Sequence, residues 1–337
     1  MSTSDVPATR VSRASRDLES MTSLDQLYDV FAELSMEGGW HRPAGPALWP
    51  EPRKTLVPHV WHYADIKGVL DVAGRLVDHT QADRRNVTLT NPAEGNVYPT
   101  VRTMVAAYQL IRPGEIALAH HHTPAALRII LEGHGTYTVV EGDRVEMRPG
   151  DVLLTPSWTW HEHSAAEDAD ECYWVDILDV PLVHLLEPMF FEKHPDGLQS
   201  EVRDLDEHPI AFRWETSLER LAAQTEAPAD GMSEREIELT GFDGGSAMPT
   251  IALHVQQMSA GFTSATRRTT ANSLFTVIEG SGSTVIDGET LEWSMGDIIA
   301  VPAWRPYQHV VDADARLVRA SDEPVYAALG LLRAETL

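Results

Sequence analysis

ALAHHHTPAALRIILEG, residues 117–133, sets three consecutive histidines ahead of an arginine and a glycine-bounded apolar run. In an extended strand, residues two apart share a face and the residue between them points to the other. His120 and His122 can therefore converge on one ion, while His121 turns away. A second stretch, TPSWTWHEH (residues 155–163), repeats the spacing, with His161 and His163 on a common face. Pro156, five residues before His161, shapes the turn that leads into it. Two His-x-His pairs meeting at one end of a β-barrel make a metal site; imidazole suits iron, zinc, copper and nickel alike.

The barrel itself is read from a repeat. LEGHGTYTVVEGDRVEMRPGDVLLTPSWTWHEH (131–163) is echoed by IEGSGSTVIDGETLEWSMGDIIAVPAWRPYQH (278–309), and upstream Gln109 and Gly114 match Gln256 and Gly261. The offset is 147 residues, falling to 146 after one deletion. Short alternating strands at 137–140, 151–154 and 283–286, separated by Gly, Pro and Asp turns, predict β-barrels. Helical patterns cover Leu24–Leu34, Ala64–Leu76, Leu182–Phe191 and Thr216–Ala223. The expected fold is mainly β: an N-terminal helical and extended arm (1–95), a first barrel (96–183), a partly helical connector (184–245) and a second barrel (246–330). In the second copy Arg267, Thr269 and Tyr307 stand opposite His120, His122 and His161, and Phe275 opposite Arg128; only His309, opposite His163, remains. One metal per chain is expected, in the first barrel, with the second barrel structural.

Bulk properties narrow the function classes. The 337 residues carry 26 basic and 51 acidic side chains, a formal net charge of −25. Such an acidic chain is a poor partner for nucleic acid or an anionic membrane. With 43% hydrophobic residues and no apolar run near the ~18 residues of a membrane span, it reads as globular. The first twenty residues lack the apolar core of a secretion signal, and Cys172 is the single cysteine. Both point to a reducing cytoplasm and to Cys172 as a small buried hydrophobe.

Gly114-x5-His120-x-His122, Gly133, Gly150-Asp151 and Pro156-x4-His161 resemble the two motifs of the cupin superfamily. The departure is informative: Ala126 stands where that pattern has a glutamate ligand. Together with RPGEIALAHHHTPAALRIILEG, VPHVWHYADI and YWVDILDVPLV, the chain resembles the bicupin ring-cleaving dioxygenases, which include gentisate, salicylate and 1-hydroxy-2-naphthoate 1,2-dioxygenases. The resemblance runs from about Ser23 to near the C-terminus and is strongest between Gln109 and Val183.

The resemblance implies two jelly-roll barrels, one Fe(II) per chain on His120, His122 and His161, and opening of the C1–C2 bond of a 2-hydroxybenzoate by dioxygen. Three neutral ligands leave the ion its full charge and room for a chelating acid. Arg128 is the implied carboxylate clamp, since a guanidinium offers a planar pair of donors. His163 is the implied proton carrier beside the substrate hydroxyl. Val105, Ala107 and Gln109 share a strand face and would line the pocket; Trp174 and Asp176 match pocket positions; Arg84 or Arg85 would add a positive group. Gentisate leads as substrate, with a substituted salicylate or 1-hydroxy-2-naphthoate as alternatives, because Val105 and Ala107 alter the pocket in opposite directions. The Gly/Pro/Trp-rich GGWHRPAGPALWPEP (38–52), with His41 as an arm contact, fits a homotetramer whose arms reach neighbours. From a different class, a non-redox metal cupin, either an isomerase or a small-acid-binding regulator, stays open. No convincing helix-turn-helix favours the regulator, and the missing acidic ligand disfavours a sugar-phosphate isomerase.

Overall fold

A computed structural model describes residues 18–78, 84–200, 202–204, 208–241 and 243–337. The start of the expected arm and residues 79–83 within it lie outside the described residues. The chain divides into two units, residues 1–53 and 54–337. In the smaller, helix α1 (Leu24–Glu33) opens with a capping box in which Ser23 Oγ accepts from Gln26 N–H and the Gln26 side chain accepts from Ser23 N–H. Tyr28 stacks on His41 with centroids 3.7 Å apart, so His41 is a contact within the arm.

The larger unit begins with strand β1 (His59–Trp61), helix α2 (Tyr63–Leu76) and β2 (Arg85–Leu89). The first copy of the repeat follows as β3 (Val105–Ile111), β4 (Ile116–His122), β5 (Ala126–Glu132), β6 (Thr136–Val140), β7 (Asp143–Glu146), β8 (Val152–Thr155), β9 (His161–Ala165) and β10 (Cys172–Leu178). These strands form two sheets, ordered β8-β5-β10-β3-β2 and β4-β9-β6-β7, each extended by short strands from later in the chain. The second copy forms one nine-stranded sheet around Ala252–Met258, Ser273–Ile286, Ile298–Val301 and Tyr307–Ser321.

Strand β3 is buried along its whole length and β5 nearly so, and each reads as an almost continuous apolar run because both faces are covered. On β3, Val105, Ala107 and Gln109 face a cavity inside the first barrel. The alternate residues Ala106, Tyr108 and Leu110 belong to a buried cluster that also holds Leu253, Val255, Leu274 and Val318 of the second copy. The Tyr108 hydroxyl donates across this junction to the Gly296 carbonyl at 2.5 Å.

The repeat proves longer than its sequence signal, and its leading elements are exchanged between the copies. Strand β1, within the stretch read as arm, pairs with Ile298–Val301 of the second copy. Its counterpart Ala211–Phe212, within the stretch read as connector, pairs with β8 of the first. The same exchange appears at the two Gly-Asp turns. Asp297 accepts from Tyr63 N–H at 2.8 Å at the start of α2, and Asp151 accepts from Trp214 N–H at 2.9 Å at the start of α4 (Trp214–Ala223). Gly150 and Gly296 have φ of +87° and +86°, and a Cβ there would meet the Trp214 or Tyr63 ring at 2.5 or 2.3 Å. Both the left-handed turn and the close aromatic approach require glycine.

One predicted helix is too long. The apolar pattern Leu182–Phe191 suggested a single helix, whereas α3 spans Val180–Leu186 and stops at Glu187 in the left-handed region with φ +70°. Pro188 cannot extend it, and Phe191 opens strand β11 (Phe191–Lys193), which pairs with the histidine strand β4.

Candidate metal centre

His120 and His122 leave β4 on one face, and His161 leads β9, paired in register with His120. One ligand atom from each of the three lies within 4.8 Å of the others. His122 Nδ1 lies 2.7 Å from the Pro124 carbonyl and His161 Nδ1 lies 3.0 Å from the Thr159 carbonyl. A carbonyl can only accept, so both Nδ1 atoms carry the proton and both Nε2 lone pairs are free. The Thr159 hydroxyl in turn donates to the Pro156 carbonyl at 2.7 Å, which ties the turn before His161.

Burial first, then the nearby guanidiniums, pushes the His120 imidazole down to about 2 and that of His161 well below the usual range. Burial also lowers His122. Three imidazoles that burial keeps neutral, converging on one point, are the donor set a divalent transition metal takes. His121 faces the other way, stacked between Trp158 and Trp160 at 3.8 and 3.7 Å, with Nε2 3.1 Å from Glu192.

The three histidines line a cavity of about 200 Å³. That is smaller than the ~300–1,000 Å³ of drug-sized sites and suits one small ring. His163, Arg128, Gln109, Val105, Ala107, Asp176, Arg84 and Ala126 also line it. His163 is buried with neither ring nitrogen hydrogen-bonded. Its ring meets Trp174 edge-on at 5.6 Å.

Arg128 is held by a network on one face of β3, β5 and β10. Its Nε lies 3.2 Å from Asp176 Oδ1, and its Nη1 donates to Thr138 Oγ1 at 3.2 Å. Asp176 Oδ2 accepts from Gln109 Nε2 and, at 3.0 Å, from Trp174 Nε1. The pair Arg128–Asp176 is nearly dry, with side chains 2% and 4% exposed. An unpaired charge at either position is costly.

Two expected contacts are corrected. Of Arg84 and Arg85, only Arg84 reaches the cavity, with Nη1 2.5 Å from His120 Nδ1 and 3.0 Å from its Nε2. Arg85 is on the opposite face of β2 and pairs with Glu115. Trp174 is not among the lining residues; it stands behind two that are, its indole N–H donating to Asp176 and its ring edge-on to His163. Asn86, Thr88, Tyr98 and Leu178 line the cavity unanticipated. The first two share the parity of Arg84 along β2, a signal available in the sequence; Tyr98 lies outside the named strands and carries none. Cys172 is buried and its thiol is pushed up to about 12, an inert core group.

The second copy repeats the strand pairings at these positions without the chemistry. Arg267 and Tyr307 pair in register as His120 and His161 do. Arg319 stands opposite Phe275 where Asp176 stands opposite Arg128. Among the described residues, His120, His122 and His161 form the one group of three or more metal-ligating side chains.

A cupin domain model matches residues 107–178. The chain is 33% identical to the 5-aminosalicylate 1,2-dioxygenase of Comamonas sp over 93% of its length and 90% of that protein's. It is also 33% identical to a gentisate 1,2-dioxygenase of Streptomyces sp, over 92% and 94%. Its fold is similar to the salicylate 1,2-dioxygenase of Pseudoaminobacter salicylatoxidans in its gentisate adduct, with TM-score 0.86 and 30% identity, covering 96% of each chain.

Proposed function

The chain belongs to the bicupin ring-cleaving dioxygenases, the family of gentisate, salicylate and 1-hydroxy-2-naphthoate 1,2-dioxygenases, and from that premise we propose that it opens the C1–C2 bond of a 2-hydroxybenzoate, gentisate first, with one Fe(II) per chain. The observation that carries this reading is the donor set: three neutral imidazoles on one cavity, Ala126 in place of an acidic ligand, and two guanidiniums on the walls.

Bound Fe(II) would supply the redox chemistry that dioxygen activation needs and a Lewis acid for the substrate's carboxylate and hydroxyl oxygens. His120, His122 and His161 would hold it. Arg128 and Arg84 make this cavity electropositive inside a chain of net charge −25, so an anionic aromatic acid is drawn to it. Arg128 is aimed by Asp176, which is itself aimed by Gln109 and Trp174; a clamp fixed before binding loses little freedom when a carboxylate arrives. Burial, then the charges of Arg128 and Arg84, keep His163 neutral. Once the carboxylate offsets those charges, its ring nitrogen can accept the substrate's hydroxyl proton. Val105, Ala107 and Leu178 set the width of the slot for the ring.

The chain is further proposed to act as a cytoplasmic homo-oligomer, a tetramer. No described helix is long and apolar enough to cross a membrane. Exposed Leu185, Leu186, Phe190 and Phe191 cluster around the end of α3 and β11, as a covered face would. Light scattering of the purified chain checks the mass.

Anaerobic reconstitution with Fe(II), followed by oxygen uptake with gentisate, salicylate, 5-substituted salicylates and 1-hydroxy-2-naphthoate, tests the reaction. Protein holding one iron per chain that consumes oxygen with none of them overturns it.

A further inference from the structure

The two barrels are latched together by a matched pair of side-chain hydrogen bonds, and one of the pair leads to a metal ligand. Asp179 stands at the N-cap of α3, yet its carboxylate makes no bond to its own helix, the usual task of an aspartate there. Instead Oδ1 accepts from Ala125 N–H at 2.8 Å and Oδ2 accepts from the Thr250 hydroxyl at 2.6 Å. The Asp179 N–H also donates to the Ala125 carbonyl at 3.2 Å. Thr250 lies just before Ala252–Met258, the strand of the second copy that matches β3.

The reciprocal latch has the same parts. Thr103, 147 residues before Thr250, donates its hydroxyl to Asp322, which accepts from Asn272 N–H at 2.6 Å. Asp322 stands at the N-cap of the helix Glu323–Ala328 and likewise does not cap it. Asn272 is the repeat mate of Ala125. The mate adds one bond, from Asn272 Nδ2 to Asp322 Oδ2 at 2.7 Å, and it differs at the far end. The Ala125 N–H and the Pro124 C=O are the two ends of one planar peptide unit, and that carbonyl accepts from His122 Nδ1 at 2.7 Å. In the second copy Thr269 stands in place of His122 and bonds the Ala271 N–H instead.

We propose that Asp179 is a positioning residue for the metal centre, set by Thr250 of the second barrel: the chain Thr250 Oγ1–H, Asp179 carboxylate, Ala125–Pro124 peptide and His122 Nδ1–H fixes the angle and tautomer of His122. A rigid peptide held at both ends cannot rotate its carbonyl away from the imidazole. The carboxylate on its N–H side also polarises that carbonyl and makes His122 the stronger donor to an ion. The barrel that has lost its ligands thus still completes the site of the other. This rests on the reading of His120, His122 and His161 as ligands.

The test is a titration of the full-length apoprotein with Co(II), reading its visible absorption bands and its affinity by chelator competition, with thermal midpoints in parallel. Thr250→Val removes one proton donor at nearly constant shape and is expected to weaken Co(II) binding about tenfold, within the range for such outer partners, and to alter the bands. Thr250→Ser restores both. Thr103→Val breaks the mate latch, lowers the thermal midpoint similarly and leaves Co(II) affinity within about twofold of wild type. Asp179→Ala is expected to exceed Thr250→Val; if it fails to fold, the threonine pair alone decides. Equal Co(II) affinities for Thr250→Val and Thr103→Val overturn the relay. A wild-type chain that binds no Co(II), or a His122→Ala chain that keeps it, overturns the ligand reading instead.

Discussion

Two barrels with one ancestral pattern differ here in what fills their interiors, and the contrast separates what a barrel needs from what a site needs. Both keep the Gly-Asp turn, the exchanged leading strand and the aspartate latch. Among the described residues only the first brings three ligating imidazoles together, and there Arg128, paired to Asp176, lines a cavity with them. In the second, Phe275 and Tyr307 pack against His309 at 4.9 and 5.7 Å, and Arg319 ties to Glu323. Aromatic rings pack around His309 in the second copy, where the first barrel leaves a cavity lined by imidazoles and guanidiniums.

The largest test of that contrast is removal of a ligand from each side. His161→Ala should abolish retention of one metal per chain and oxygen uptake with it, measured by metal analysis after gel filtration; Tyr307→Ala should alter neither metal content nor the stoichiometry. A metal retained in His161→Ala would break the distinction outright. Next comes the buried charge pair. Arg128→Lys keeps the charge beside Asp176 but loses the planar fork, so kcat/KM should fall about a hundredfold, close to 3 kcal/mol, with metal content unchanged. Arg319→Lys should leave kcat/KM alone.

A smaller effect is expected at the slot. Val105→Phe should lower kcat/KM for 1-hydroxy-2-naphthoate by about tenfold more than for gentisate, since the lost volume falls on the wider substrate. Equal losses would remove Val105 from the substrate wall.

The last prediction reads the second barrel through pH. Burial, followed by the charge of Arg319, pushes His309 down to about 3. Between its unfolded value near 6.5 and that folded value, the unfolded chain binds a proton that the folded chain refuses. Stability from this group is thus present above pH 6.5 and lost as pH falls, by about 1.4 kcal/mol per pH unit. Urea midpoints of His309→Leu measured from pH 7 to pH 5 should show a correspondingly shallower decline than wild type. An unchanged slope would mean His309 titrates alike in both states.

Strand parity alone separated His120 and His122 from His121, and the repeat alone showed that the second copy lacks ligands. Alternation and spacing are local, so the sequence displays them directly. The missing acidic ligand at Ala126 was legible only through the resemblance to the cupin motif. Parity could equally have found Asn86 and Thr88 beside Arg84, and could have chosen Arg84 over Arg85.

Other features depend on contacts between distant segments. Strand β1 is too short for its own hydrophobic period, and nothing in HVW announces pairing with residues 298–300. Trp174 satisfies the face rule, but it stands behind two cavity-lining residues, Asp176, which accepts its indole N–H, and His163, which its ring flanks. Pro188 ended a helix whose apolar pattern continued because the next apolar residues serve a strand. Thr250 is marked in the sequence only as the repeat mate of Thr103, which says nothing of its task. Its meaning arises because burial leaves Asp179 seeking donors, and folding brings a hydroxyl from the other barrel to meet it. Local chemistry fixed which residues could bind a metal; only long-range packing decided which of their neighbours hold them in place.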